Sequence, residues 1–216
     1  MIDTIIFDMD GVLVDSEKHW AIEETKYLAT RVPAPHDDYH KDIVGMSISE
    51  IFDHLKSRYD IYMQKKEFLD AYDEMAVDIY KKFSNLLPNV MDFIRFLRDE
   101  DYTLALASSS PRFWVHMAVE RFELEPFFKV TVSASEIQCK GKPAPDIYLY
   151  TAGQLGKKPE NCLAIEDSRN GVLSAKAAGM KCIGLRNGFN EEQDLSQADL
   201  VIGGFQELNL DVVSKL

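Results

Sequence analysis

The run Asp8-Met9-Asp10-Gly11-Val12 sets two aspartates two residues apart, directly after the apolar stretch Thr4 to Phe7. If that stretch is a strand, alternate side chains share a face and the two carboxylates project together. Carboxylates this close repel, and they coexist only with a cation or a shared proton. Mg²⁺ suits such a pair, because it takes hard oxygen ligands and keeps places for water and a phosphate. Gly11 allows a tight backbone turn beneath a bound phosphate. Taken alone, Asp-x-Asp-Gly is equally an ordinary surface turn.

Three later segments carry compatible chemistry. Ser108-Ser109-Ser110 follows the apolar run Thr103 to Ala107. A hydroxyl there, beside the N–H groups of a starting helix, suits a phosphate oxygen. Plain helix capping is the alternative. Lys142 lies in Lys140-Gly141-Lys142-Pro143-Ala144-Pro145-Asp146, where two prolines stiffen the loop and open a helix. An ammonium held in that way can neutralise charge on a transferring phosphoryl group. Glu166-Asp167-Ser168 follows Cys162 to Ile165 and offers a second acidic pair to complete an oxygen shell around a metal.

The elements that must position these groups are legible as alternating patterns. Apolar, β-branched runs at 4–7, 103–107, 129–132, 162–165, 181–185 and 199–202 are continuous rather than alternating, as in strands buried on both faces. Helical patterns at 90–98, 112–122, 146–155 and 170–178 separate them. That alternation predicts an α/β fold: a doubly wound parallel sheet, Rossmann-like, with every candidate group at the C-terminal edge of a strand. Between 15 and 86 the strands stop, and helical patterns at 16–29, 47–58 and 64–83 take over. Ser16 is placed to cap the first, and Ser47-x-x-Glu50 is a capping-box pattern for the second. The expected organisation is an α/β core domain of 1–14 and 87–216 with an inserted helical-bundle cap domain of 15–86.

Charge and composition narrow the partners. The 216 residues carry 24 basic and 36 acidic side chains, a net charge of −12. Such acidity disfavours nucleic-acid backbones and anionic membranes, so neither is an expected partner. A small phosphorylated metabolite is compatible, provided a local cation offsets the field. No apolar run reaches the ~18 residues that cross a bilayer, and the N-terminus lacks the basic start of a secretory leader. Three widely spaced cysteines, Cys139, Cys162 and Cys182, do not form a disulfide framework. A cytoplasmic monomer is expected.

The four segments DMDGV (8–12), ASSS (107–110), GKPAPD (141–146) and EDS (166–168), in this order and spacing, resemble the haloacid dehalogenase superfamily. The nearest likeness is to its β-phosphoglucomutase-like sugar-phosphatase branch, over nearly the whole chain. The resemblance implies Asp8 as nucleophile, Asp10 as general acid and base, and Ser108 and Lys142 as phosphoryl holders. It implies Mg²⁺ held by the Asp8 carboxylate, the Asp10 main-chain carbonyl and Asp167, with Glu166 assisting. It also implies a cap that closes over the site and selects the substrate. Substrate-binding candidates are Gly11, Ser109, Arg112, Trp20 on the first cap helix and Gly45 in the first cap loop.

Mutases of the branch place an arginine where this chain has Ile48 and a histidine where it has Trp20, with His19 one place early. Without a clamp for a second phosphate, hydrolysis of a small sugar or polyol phosphate is the expected reaction, and a hexose-phosphate mutase is the alternative. Trp20 can stack on a sugar or pack between helices. His36 and His40 share a helical spacing, but no third ligand pattern accompanies them, and they read as solvated.

Overall fold

The computed structural model describes residues 1–32, 47–59, 61–137 and 140–216. Gly45, His36, His40 and Cys139, singled out above, lie outside the described residues. Among the described residues, six short strands form one sheet: β1 (Thr4–Phe7), β2 (Thr103–Ser108), β3 (Val130–Ser133), β4 (Cys162–Glu166), β5 (Lys181–Leu185) and β6 (Leu200–Ile202). Their order is β3-β2-β1-β4-β5-β6 and every pairing is parallel. The chain builds outward from β1 in one direction and then starts again at β4 on its other side. The crevice between β1 and β4 is therefore the switch point where open α/β sheets place their sites. Both β2 and β4 run one residue further than the apolar pattern indicates. Ser108 pairs with Ser133 and Glu166 with Gly184, so a polar residue closes each strand within the ladder.

The two faces of the sheet differ in bulk. Ile5, Phe7, Leu104, Leu106, Leu163 and Ile165 point to one side. Ile6, Ala105, Ala107, Cys162, Ala164 and Cys182 point to the other. The bulky side is covered by α4 (Val90–Asp99), α5 (Arg112–Arg121) and the short α8 (Leu210–Ser214). α4 presents Val90, Phe93, Ile94 and Leu97, the spacing of one helical stripe. The side of small residues lets α6 (Asp146–Gln154) and α7 (Arg169–Ala177) approach closely, through Ile147, Tyr148, Ala152, Val172 and Ala175. The last helix, α8, had no counterpart in the sequence reading.

Between β1 and α4 stand α1 (Ser16–Ala29), α2 (Ile48–Arg58) and α3 (Lys65–Asp78), the last continuing as a π-helical turn over Ile79–Phe83. Aromatic rings hold them together, with Phe68 against Tyr72 at 4.6 Å and Phe52 against Phe68 at 5.4 Å. The capping box at Ser47 is formed, with Glu50 N donating to Ser47 Oγ and Ser47 N to Glu50 Oε2 at 2.8 Å. Ser16, in contrast, does not cap α1. Asp15 holds the N-cap position, and Ser16 lies inside the first turn, where its hydroxyl is free to bind elsewhere. The segments that leave for these helices and return from them run side by side: Asp15 N donates to Asn85 O at 3.0 Å, and Leu87 N to Leu13 O at 2.9 Å.

Phe93 joins the sheet to α4 and packs near Phe7 and Phe205. Phe93→Ala is expected to cost about 3–5 kcal/mol through the cavity it leaves. Phe113→Ala, on the exposed side of α5, is expected to stay within about 0.5 kcal/mol of the unmodified protein. Urea denaturation of both variants measures the contrast.

Candidate active site

The sheet edge gathers its charges around one ammonium. Asp8 follows β1, with its N–H bonded to Ile165 O of the neighbouring strand at 3.0 Å. Glu166 ends β4 and is fully buried. Lys142, from the proline-stiffened loop, sits between them, with Nζ 2.6 Å from Asp8 Oδ1 and 2.5 Å from Glu166 Oε1. Tyr148, on the first turn of α6, donates its hydroxyl to the same Glu166 oxygen at 2.6 Å. Burial alone would lower the Lys142 pKa, but the Asp8 and Glu166 carboxylates outweigh it and hold the ammonium above its usual range. Glu166 thus anchors Lys142. Its path crosses Gly171, where any Cβ would overlap the carboxylate.

One ammonium does not balance the acids that surround it. Ligand atoms of Asp8, Glu166 and Asp167 all lie within 4.8 Å of one another, and all three residues are buried. Burial pushes the Asp8 carboxyl well up; Lys142 opposes this, and Glu166 and Asp10 reinforce it. Burial likewise pushes Asp167 well up, with Glu17, Asp8 and Glu166 adding their repulsion against the pull of Lys142. A set of hard carboxylate oxygens that is short of positive charge fits a divalent cation of the Mg²⁺ type. The site also depends on Gly11, whose φ of +74° is one that side chains avoid. A Cβ there would collide with the Asp167 carboxylate and lie 2.9 Å from the Asn187 amide nitrogen.

Asp10 is held apart from that cluster. Its Oδ1 accepts from Ser16 Oγ at 2.5 Å and from Tyr80 OH at 2.7 Å, and its Oδ2 from Ser110 Oγ at 2.6 Å. These three hydroxyls come from α1, the π-helical turn and the loop after β2. Burial, and then the Asp10 charge, drive the Tyr80 phenol well above its usual pKa, so it remains a donor. Ser108 is buried at the end of β2, and its Oγ accepts from Ser110 N at 3.0 Å. Ser109 is exposed on the lip of the same loop.

The structure brings Asp8, Asp10, Gly11, Ser108, Lys142, Glu166 and Asp167 to one crevice, and Ser109 to its rim. The Asp10 side chain, also a metal candidate above, is not among the three carboxylates that gather there. Two other candidates do not line the crevice in this structure. Trp20 is nearly buried, stacked on Trp114 at 4.6 Å and near Tyr72, with Nε1 bonded to Tyr80 OH. Its ring is packed between helices in this structure. Arg112 turns outward to pair with Glu136, because its helix start faces the 3₁₀ turn at 134–136. Sequence reasoning missed Ser16, Tyr80, Ser110, Tyr148, Gly171 and Asn187 as site residues. Ser110 lies within the serine run, Tyr148 two residues after the Lys142 loop motif and Gly171 three after Ser168, while Ser16 reads only as a cap. Tyr80 and Asn187 reach the site from remote segments and carry no local signal.

Comparison with known proteins agrees with this geometry. The family model of haloacid dehalogenase-like hydrolases matches residues 2–179. A phosphorylated carbohydrates phosphatase from Thermotoga maritima is 31% identical over 201 residues, 92% of each chain. A β-phosphoglucomutase from Bacillus subtilis is 29% identical over 218 residues, covering 97% of this chain and 92% of its own. Among solved structures, CbbY from Rhodobacter sphaeroides in complex with xylulose-1,5-bisphosphate superposes with a TM-score of 0.83 at 25% identity, over 97% of both chains. With its acidic crevice at the β1–β4 switch point and these relatives along more than nine-tenths of its length, the chain belongs to the haloacid dehalogenase-like hydrolases.

Proposed function

We propose that the protein is a Mg²⁺-dependent phosphatase of small sugar or polyol phosphates that works through an aspartyl-phosphate on Asp8. The observation that carries this reading is the buried Asp8 carboxylate, gripped by Lys142 at the sheet edge, with Asp10 two residues on and a second acidic pair opposite. A pure binding module has no use for a nucleophile paired with a proton carrier.

Asp8 attacks phosphorus, the bond from phosphorus to the sugar oxygen breaks, and the leaving oxygen takes a proton from the Asp10 carboxyl. To do so Asp10 turns away from Ser16, Tyr80 and Ser110. Water then attacks the aspartyl-phosphate, Asp10 takes the proton back, and inorganic phosphate leaves with Asp8 restored. Lys142 and the Ser108–Ser109 loop hold the phosphoryl oxygens. Asp8, Asp167 and the Asp10 main-chain carbonyl, with Glu166 beside them, would hold Mg²⁺, which when bound offsets charge on the phosphoryl group.

Hydrolysis is favoured over phosphate shuttling by the cap. Ile48 opens α2 and packs against the apolar core, so it offers no charge to a second phosphate. The mutase reading retains support from the Bacillus subtilis relative. A panel of hexose, pentose and hexitol phosphates separates them. Release of inorganic phosphate is expected, and conversion of a sugar 1-phosphate to its 6-phosphate without release would overturn the phosphatase reading. Asp8→Asn is expected to cut turnover by roughly 10⁴-fold or more, the scale on which a covalent nucleophile matters, with the circular dichroism spectrum unchanged.

The metal requirement has its own readout. Mg²⁺ at 100 times its dissociation constant is expected to stabilise the unmodified protein by about 2.7 kcal/mol, seen as a higher melting temperature without substrate. Asp167→Asn is expected to melt higher than the unmodified protein in chelator, because a crowded buried charge is gone. It is also expected to gain less from Mg²⁺. An Mg²⁺ shift equal to that of the unmodified protein would remove Asp167 from the metal site.

A further inference from the structure

The loop after β5 reaches the same crevice, yet none of the four motifs includes it. Asn187 Nδ2 donates to Asp167 Oδ2 at 3.0 Å and to Gly11 O at 2.9 Å. Its Oδ1 accepts from Phe189 N at 2.9 Å. That pattern fixes the amide orientation, since the reverse would aim an oxygen at two acceptors and a nitrogen at an N–H. Asn190 secures the loop from behind, donating through Nδ2 to Asp167 O at 2.7 Å and Leu185 O at 2.8 Å, and accepting from Asn187 N at 3.1 Å. We propose that Asn187 is a positioning residue for the metal-binding carboxylate Asp167, fixing one of its oxygens against the Gly11 turn so that the other faces the cation site. This rests on the metal-dependent reading above and deepens it.

Three observations converge on that role. The missing side chain at Gly11 is what lets the Asp167 carboxylate and the Asn187 amide occupy the same corner. The donor is neutral. A cationic side chain would pair with Asp167 and compete with the metal, whereas an amide orients the carboxylate and leaves its charge to the metal. Nor is Asn187 a space-filler, because a cavity of about 180 Å³ opens beside it, lined also by Leu87, Arg186 and Gln206. Its hydrogen bonds, not packing, define its place.

The test titrates Mn²⁺ calorimetrically into substrate-free protein, comparing the unmodified chain with Asn187→Ala and Asn187→Ser, whose hydroxyl is too short to span Asp167 and Gly11. Both variants are expected to bind Mn²⁺ roughly 10–100-fold more weakly, the usual effect of losing an outer partner of a metal ligand. At saturating Mg²⁺ their phosphatase rates should recover, with the substrate KM little changed. Gln206→Ala, in the same cavity wall, should leave Mn²⁺ affinity as it was. Mn²⁺ affinity within twofold of the unmodified protein in the Asn187 variants would overturn the inference. So would variants that stay unfolded whatever the Mn²⁺ concentration, since Asn187 would then serve the fold. If the unmodified chain itself bound no Mn²⁺, the metal-dependent reading would fall first and this inference with it.

Discussion

Lys142 is buried between two carboxylates, and the arrangement of the sheet edge follows from keeping it there. A buried ammonium is costly unless it is paired, and a pair is worth keeping only when its remaining hydrogen bonds are satisfied. Here Asp8 and Glu166 take the ammonium, and Tyr148 takes up the same Glu166 oxygen. Parallel strands supply the geometry. β1 and β4 are neighbours in register, so Asp8 and Glu166 emerge side by side at one edge. The loop that carries Lys142 is stiffened by proline and runs straight into α6, whose first turn brings Tyr148. The site is therefore set by strand pairing and one loop, and the acids left uncompensated define where positive charge must come from.

Asp10 is governed differently. Its three hydroxyl partners lie on three elements that are far apart in sequence, and two of those elements belong to the helical insertion. Tyr80 also accepts from Trp20, which stacks on Trp114 of α5, while Trp114 bonds to Asp73 of α3. Asp10 is thus tied to the helical layer, and Asp8 to the sheet. That division suits the proposed reaction, in which Asp8 stays fixed on phosphorus and Asp10 turns toward the leaving oxygen.

Much of this was legible because it is local. The six apolar runs became the six strands with bounds shifted by at most one residue, since a strand buried on both faces has no polar interruption to blur it. Asp8, Lys142, Glu166 and Asp167 stand at strand ends or in a proline-stiffened loop, where residue type and spacing carry the chemistry. What escaped was tertiary. Ser16 has the sequence of a cap, yet its hydroxyl serves Asp10 because Asp15 already holds the N-cap position. Trp20 has the chemistry of a sugar platform but is covered by Trp114, a residue nearly a hundred positions away. Asn187 belongs to no run that could mark it, and only folding brings it to Gly11.

The parallel register has a temporal side. Thr4 pairs with Thr103 on one side and with Cys162 on the other, so β1, at the centre of the finished sheet, is made before either of its neighbours. It cannot acquire either neighbour until the helical insertion, and then most of the chain, has been made. The helices of the insertion close over short sequence distances, whereas β1 must wait for contacts of high loop-closure entropy. During synthesis Ile5, Ile6 and Phe7, fully buried at the end, remain without a partner the longest. Asp8 thus follows an apolar strand that is exposed early and sheltered late, an aggregation hazard that the acidic residues flanking it, Asp3, Asp8 and Asp10, are placed to blunt.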